Sequence, residues 1–296
     1  MNPIPRRWFL SGLGVAVMGP RVGEAAESAG KSGAVLVATV PGVEPYQQAV
    51  DGLRSRLSGI EVAVADTDPK KLAEALGSGV RTAVAVGAEA RAAFGKTETR
   101  LPVVSTMVLL AAADDQNSGG QGPLNQAGTV YLDIELPRIA QEIATRLPGK
   151  KRLGVIFDGD KRNEPNASVL GELGQQTTVA ACERKGDLAR AVAGLRGKAD
   201  IVILMPSSSL YDAESVPPML QTAIEQRMAV VGFSPGLVQA GAALGVYPDY
   251  AEMGVQAGEM VLAVLGKKQA GDETPRKIAV STNARVLRLL GLKAAK

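Results

Sequence analysis

The side chains that could do chemistry in this chain are carboxylates, hydroxyls and a few aromatics. No histidine occurs in the 296 residues, and Cys182 is the one cysteine. That removes Ser-His-Asp catalysis, histidine metal ligation and histidine proton shuttling together. No G-x-x-x-x-G-K-[ST] phosphate loop is present. What remains recurs after apolar runs: Tyr46, Glu89, Thr106, Asp158, Asn166, Ser168, Ser207, Ser208, Phe233, Tyr247 and Asp249. Carboxylates, hydroxyls and rings in such places hold a small molecule by hydrogen bonds and apolar contact. Carboxylate-only catalysis by Asp158, Glu89 and Asp249 is the enzymatic alternative. It is opposed by the missing histidine and the lack of clustered metal ligands, so we expect no enzyme and no cofactor.

The elements that must position these residues alternate strand and helix. Continuous apolar runs, each bounded by a turn signal, occur at 34–40, 60–65, 82–86 and 101–108. Such runs suit parallel strands buried on both faces. Helices are expected over 46–57, 70–76 and 88–94. A further strand and helix follow at 128–133 and 136–147. The alternation restarts with strands at 152–157, 176–182, 199–205 and 229–232, and with helices at 167–173, 187–195 and 216–226. The stretch 229–265 reads as strand, short helix, strand, turn at Pro248-Asp249-Tyr250, and long helix. A last strand and helix are expected at 277–281 and 284–290. This order argues for α/β layers with parallel sheets. Residues 111–126, rich in Gly, Asn and Asp, read as a loop between two sheets.

Aromatics are only 3% of the chain, so Ala, Val, Leu and Gly must fill the cores. The formal charge is +3, with no basic run to suggest nucleic acid. At the N-terminus, Arg6-Arg7-Trp8-Phe9-Leu10 precedes an apolar run too short for a spanning helix of about 20 residues. Small residues follow, with cleavage expected after Ala25 or Ala26. Residues 1–28 therefore read as an export signal similar to the twin-arginine type, with an ordinary secretory signal as the alternative. Cys182 lies in an apolar segment and reads as a buried, inert thiol.

Three segments resemble the bacterial ABC-transporter substrate-binding family that includes aromatic amino acid binders. They are Gly128–Phe157 with its Leu-Pro-Gly and LGVIF, the stretch carrying GFS and PDY followed by GVQAGEMV, and Val280–Ala284 with Leu289–Leu292. The resemblance implies a type I periplasmic-binding fold of two Rossmann-like lobes. It places lobe one at 31–128 plus 236–272 and lobe two at 129–235 plus 273–296, with crossings near Gly128, Pro235 and Gly271. It also implies a periplasmic protein that closes on a small-molecule ligand and docks on an inner-membrane ABC permease with a separate ATPase. A periplasmic sensing module for a membrane receptor or kinase is the alternative.

In parallel sheets, ligands bind beyond the carboxyl ends of strands, which is where the eleven residues above fall. Each has a plain structural alternative. Glu89 can simply complement a helix dipole, Ser207 and Ser208 can cap a turn, and Asp158 can belong to a solvated turn. Asn166 or Ser168 can cap a helix, as can Asp249, and Tyr46, Phe233 and Tyr247 can be core. The sequence departs from its relatives in two places: Ala88-Glu89 stands where many carry Thr or Ser, and Val108–Ala111 stands where many carry Ser-Asp-Pro. A carboxylate at Glu89 would repel an anionic group, so we expect a ligand other than a simple amino acid, neutral there or bearing an amine.

Overall fold

The computed structural model describes residues 35–77, 79–97, 99–110, 124–149, 152–161, 163–172 and 176–293. The expected export signal and residues 111–123 lie outside them. Among the described residues no helix is long and apolar enough to cross a membrane, and no group of three His, Cys, Asp or Glu could hold a metal ion.

The described chain forms two compact units, one of residues up to 133 plus 248–277, the other of 134–247 plus the segment from 278 onward. The first unit holds strands β1 (Val35–Thr39), β2 (Val62–Ala65), β3 (Thr82–Val86), β4 (Val103–Val108) and β5 (Gln126–Tyr131). Their order is β2-β1-β3-β4-β5, parallel throughout. β1, β3 and β4 are buried along their whole length, which is why they read as unbroken apolar runs.

Alternation divides this sheet between two helical layers. Leu36, Ala38, Ala83, Ala85 and Val103 pack with Leu72 of α2 (Pro69–Ala75) and with Ala90 and Phe94 of α3 (Ala88–Gly95). The opposite face is covered by α1 (Glu44–Arg56) together with the long helix Tyr250–Leu265. Those two helices meet backbone to backbone. A Cβ on Gly52 would strike the Ala251 carbonyl, and one on Gly254 would strike that of Ala49. Gln256, fully buried in the long helix, holds the returning chain: its amide donates to Glu273 and to Thr274 O, and accepts Arg276 N–H.

In the second unit, α4 (Leu136–Arg146) precedes β6 (Arg152–Phe157), α5 (Ala167–Glu172) and β7 (Gln176–Ala181). After a 3-10 turn come α6 (Leu188–Ala193), β8 (Ile201–Leu204), α7 (Val216–Glu225), β9 (Ala229–Gly232), α8 (Pro235–Ala240) and β10 (Leu244–Pro248). The long helix is α9, and β11 (Ile278–Thr282) and α10 (Ala284–Leu289) close the chain. The sheet order is β11-β10-β9-β8-β6-β7. β7 to β10 run parallel to β6. β11 is antiparallel to β10, since Asp249 N–H meets Lys277 O at one end and Asn283 N–H meets Ala243 O at the other. Period-two alternation feeds two cores: Leu153, Val155, Ile201 and Ile203 face α4 and α10, while Ile156, Val202 and Leu204 face α6 and α7.

The chain changes unit at 133/134, 247/248 and 277/278, each later than the expected crossings near Gly128, Pro235 and Gly271. The cause is strand pairing. β10 bonds to β9, keeping α8 and β10 in the second unit. β5 runs on through Gly128, and Glu273 still bridges Val130. Gly128 serves packing, because a Cβ there would lie 2.7 Å from Gly271 O.

Candidate functional site

At the carboxyl edge of the first sheet, β3 ends in Gly87, whose φ of +93° is a backbone state that L side chains rarely adopt. It turns the chain directly into α3. The absent side chain leaves room for Tyr46, from the first turns of α1: a Cβ on Gly87 would lie 2.6 Å from the phenol ring. Burial and then the nearby Glu89 carboxylate push the Tyr46 phenol up to about 12. Glu89 is exposed in the first turn of α3 and has no hydrogen-bond or ion-pair partner among the described residues.

Two hydroxyls flank this corner. Val86 is in register with Thr39 on one side and Thr106 on the other, so all three side chains lie on the α1 face of the sheet. Thr106 is fully buried and Thr39 is 9% exposed, and neither Oγ1 has a hydrogen-bond partner among the described residues. Buried hydroxyls are ordinarily satisfied, and Gln226 Oε1 and Ser281 Oγ, elsewhere in the chain, share this unmet state. Met107, next along β4, has φ +60°. Ser105, by contrast, donates to Gln126 and belongs to the fold.

The second unit's strand ends are more self-contained. Asp158, after β6, accepts both from the Asn163 amide at 3.0 Å and from Asp160 N–H at 3.1 Å. Asn166 caps α5 through Val169 N–H, and Ser168 is exposed on that helix. Ser207 and Ser209 share a hydrogen bond at 3.1 Å, with Ser208 exposed between them. Phe233 stands edge-on to Tyr211, ring centroids 5.1 Å apart at 62°. Tyr211 is a residue that sequence reading missed. Its hydroxyl donates to Met205 O, and burial drives its pKa far up. The scarcity of aromatics, applied to Phe233, would have found it.

Tyr247 lies on β10 in the second unit and Asp249 at the start of α9 in the first. Asp249 caps that helix, accepting Glu252 N–H at 3.1 Å. Gly232-Phe233-Ser234-Pro235-Gly236 fits the letters of a G-x-S-x-G nucleophile elbow, against the expectation from the sequence that no such elbow is present. Ser234 nevertheless sits in extended backbone (φ −155°) and caps α8 through Leu237 N–H. It is 3% exposed and the chain holds no histidine to activate it.

The loop bearing Ser207 and Tyr211 is pinned at its far end by Asp212. Burial opposes the Asp212 charge, but Lys185 Nζ at 2.5 Å and the N–H groups of Ser215 and Glu214 outweigh it and hold the carboxyl at about 2. A depressed folded value means the stabilisation is complete above the ordinary carboxylate value of 3.8 and is lost as pH falls through about 2. Asp212→Asn is therefore expected to be less stable than wild type at neutral pH, with the gap closing between those values. Urea melts across that range check it; a gap of constant size would show that the charge contributes nothing.

Residues 60–295 match the family described as ABC transporter substrate binding protein. A relative, the tyrosine-binding protein of Clostridioides difficile (strain R20291), is 26% identical over 194 residues, 62% of this chain. The match spans 54% of that relative, so this chain accounts for about half of its length. The fold is similar to the ligand-free, open structure of a substrate binding protein with adhesive properties from Clostridium difficile, at TM-score 0.66 and 16% identity over 88% of this chain and 96% of that one. It is also similar to an ABC domain in complex with L-Trp from Streptococcus pneumonia, at TM-score 0.58 and 15% identity over 88% and 96% of the two chains. At such identities the solved structures speak for fold, which is that of the type I periplasmic binding proteins. Two parallel-dominated α/β units and a family match over most of the sequence agree: the chain belongs to the ABC transporter substrate binding protein family.

Proposed function

We propose that this protein is the solute-binding component of an ABC importer. It works in the periplasm, delivered there by the twin-arginine-like segment at residues 1–28. A small organic ligand is bound at strand ends, and the liganded form docks on an inner-membrane permease driven by a separate ATPase. The observation that carries this reading is the group of strand-end polar atoms left without a partner among the described residues, the Thr39 and Thr106 hydroxyls and the Glu89 carboxylate, with the Tyr46 ring packed on Gly87 beside them. In the second unit the contacts are Phe233, Asp158, Ser207 and Ser208, with Asn166 and Ser168 beside them, and Tyr247 and Asp249 join from the return stretch. Moving such a protein from 1:99 to 99:1 closed requires the ligand to favour the closed form by about 5.5 kcal/mol.

Native mass spectrometry of protein purified from the periplasm tests this. A retained small molecule is the expected result, and it is expected to be lost in Asp249→Ala. That substitution removes one helix cap, costing about 1 kcal/mol of stability. Undiminished retention in a folded Asp249→Ala protein would make Asp249 a cap and nothing more.

A further inference from the structure

The first unit's strand ends have a definite electrostatic character. The amino end of a helix ordinarily attracts an anion, and here α3 already carries one in its first turn, Glu89. That carboxylate has no hydrogen-bond or ion-pair partner among the described residues, and it stands two residues from Gly87, whose would-be Cβ lies 2.6 Å from the Tyr46 ring. The nearest cation on the same helix is Arg91, two residues on and therefore about 200° around it. It is 3% exposed, and its charge acts on Tyr131, whose hydroxyl donates to Asp272. Glu44, at the start of α1, is likewise two residues from Tyr46 and about 200° around that helix, and it accepts from the Gln48 amide. Thr106, whose carbonyl accepts the Gly87 N–H at 2.9 Å, has its Oγ1 wholly buried and without a hydrogen-bond partner among the described residues.

We propose that this corner receives a protonated nitrogen of the ligand, held between the Glu89 carboxylate and the Tyr46 ring, while Thr106 hydrogen-bonds a neighbouring polar group of the same molecule. A carboxylate beside an aromatic ring is a site for ammonium or guanidinium. An anionic group here would meet like charge and lose its water. The selectivity is thus for charge as well as shape: the ligand presents its cationic end to the first unit, and any acidic group it carries lies elsewhere. The inference rests on the solute-binding reading above and adds the chemical class to it.

The test compares three sets of probes sharing the same rings: tyramine and tryptamine, L-tyrosine and L-tryptophan, and the deaminated acids 3-(4-hydroxyphenyl)propionate and indole-3-propionate. Putrescine and agmatine complete the panel. Each is scored by thermal shift and then by calorimetry on the wild-type chain, Glu89→Gln and Glu89→Lys. Glu89 is exposed, so Glu89→Gln is expected to melt close to wild type, and Glu89→Lys somewhat lower because it reverses the charge in the first turn of α3. Binding by ammonium-bearing probes alone is expected, weakened about tenfold or more in Glu89→Gln and abolished in Glu89→Lys. A deaminated acid that binds wild type as well as its amine overturns the inference, as does an amine that binds Glu89→Gln undiminished. If no probe binds and native mass spectrometry finds nothing retained, the solute-binding reading itself fails.

Discussion

Gly254→Ala and Gly52→Ala are each expected to destabilise the first unit by about 3 kcal/mol or more, at the upper end for overpacking. Helix propensity alone predicts the opposite sign, since alanine is better than glycine in a helix by roughly 0.5–1 kcal/mol. Packing decides the outcome. On Gly254 the new Cβ would overlap the Ala49 carbonyl oxygen and lie 2.8 Å from Leu53 N, and on Gly52 it would overlap the Ala251 oxygen and lie 2.8 Å from its carbon. These are backbone atoms of the facing helix, so no side chain can rotate away. The helices must separate along their whole contact, which Gly258 extends with a would-be Cβ 2.8 Å from Arg56 Cβ. Urea melts followed by far-ultraviolet circular dichroism are expected to show a lower midpoint for the first unit with an unchanged slope. A stabilised Gly254→Ala would mean that the helices do not touch there. The same pair positions functional groups, because α1 carries Tyr46 and α9 begins at the Asp249 cap. Swelling the contact is therefore expected to cost affinity as well as stability.

The regular elements were legible because burial on both faces leaves an unambiguous mark. TAVAV at 82–86, RLGVIF at 152–157 and AVVG at 229–232 have the bounds that the apolar pattern implies. Sheet membership was not legible in the same way. LGVYP at 244–248 is an apolar run that would suit either sheet, and only its pairing with Val231 and Gly232 decides. The site was legible by position but not by state. DGDKRN reads as a polar turn, and Asp158 is indeed engaged with Asn163 and Asp160. Nothing in VLVAT distinguishes Thr39 from a core residue, because an unmet hydroxyl is a property of what surrounds it. Tyr211 was hidden in SSSLYDAES, where no periodicity signals burial, although its ring packs on Phe233.

Gly87→Ala joins backbone strain to the loss of the first unit's ring platform, and a double-mutant cycle separates the two. At φ +93° an alanine carries a conformational penalty of order 1–3 kcal/mol. Its Cβ would also intrude on the Tyr46 ring, 2.6 Å from both Cζ and the hydroxyl oxygen. The ring must swing off the strand end, moving away from Val86 and its flanking hydroxyls. The expected result is a loss of about 2–4 kcal/mol in stability together with a fall in ligand affinity. Tyr46→Ala removes the obstruction while leaving the strained φ, so Gly87→Ala is expected to cost about 1–2 kcal/mol less in that background. Fully additive effects would mean that the ring does not rest on Gly87. A coupling in stability with affinity untouched would keep the packing but remove Tyr46 from the ligand's surroundings. The two readouts thus ask different questions of the same ring: whether the glycine exists to admit it, and whether the ring admitted there is the surface on which a ligand settles.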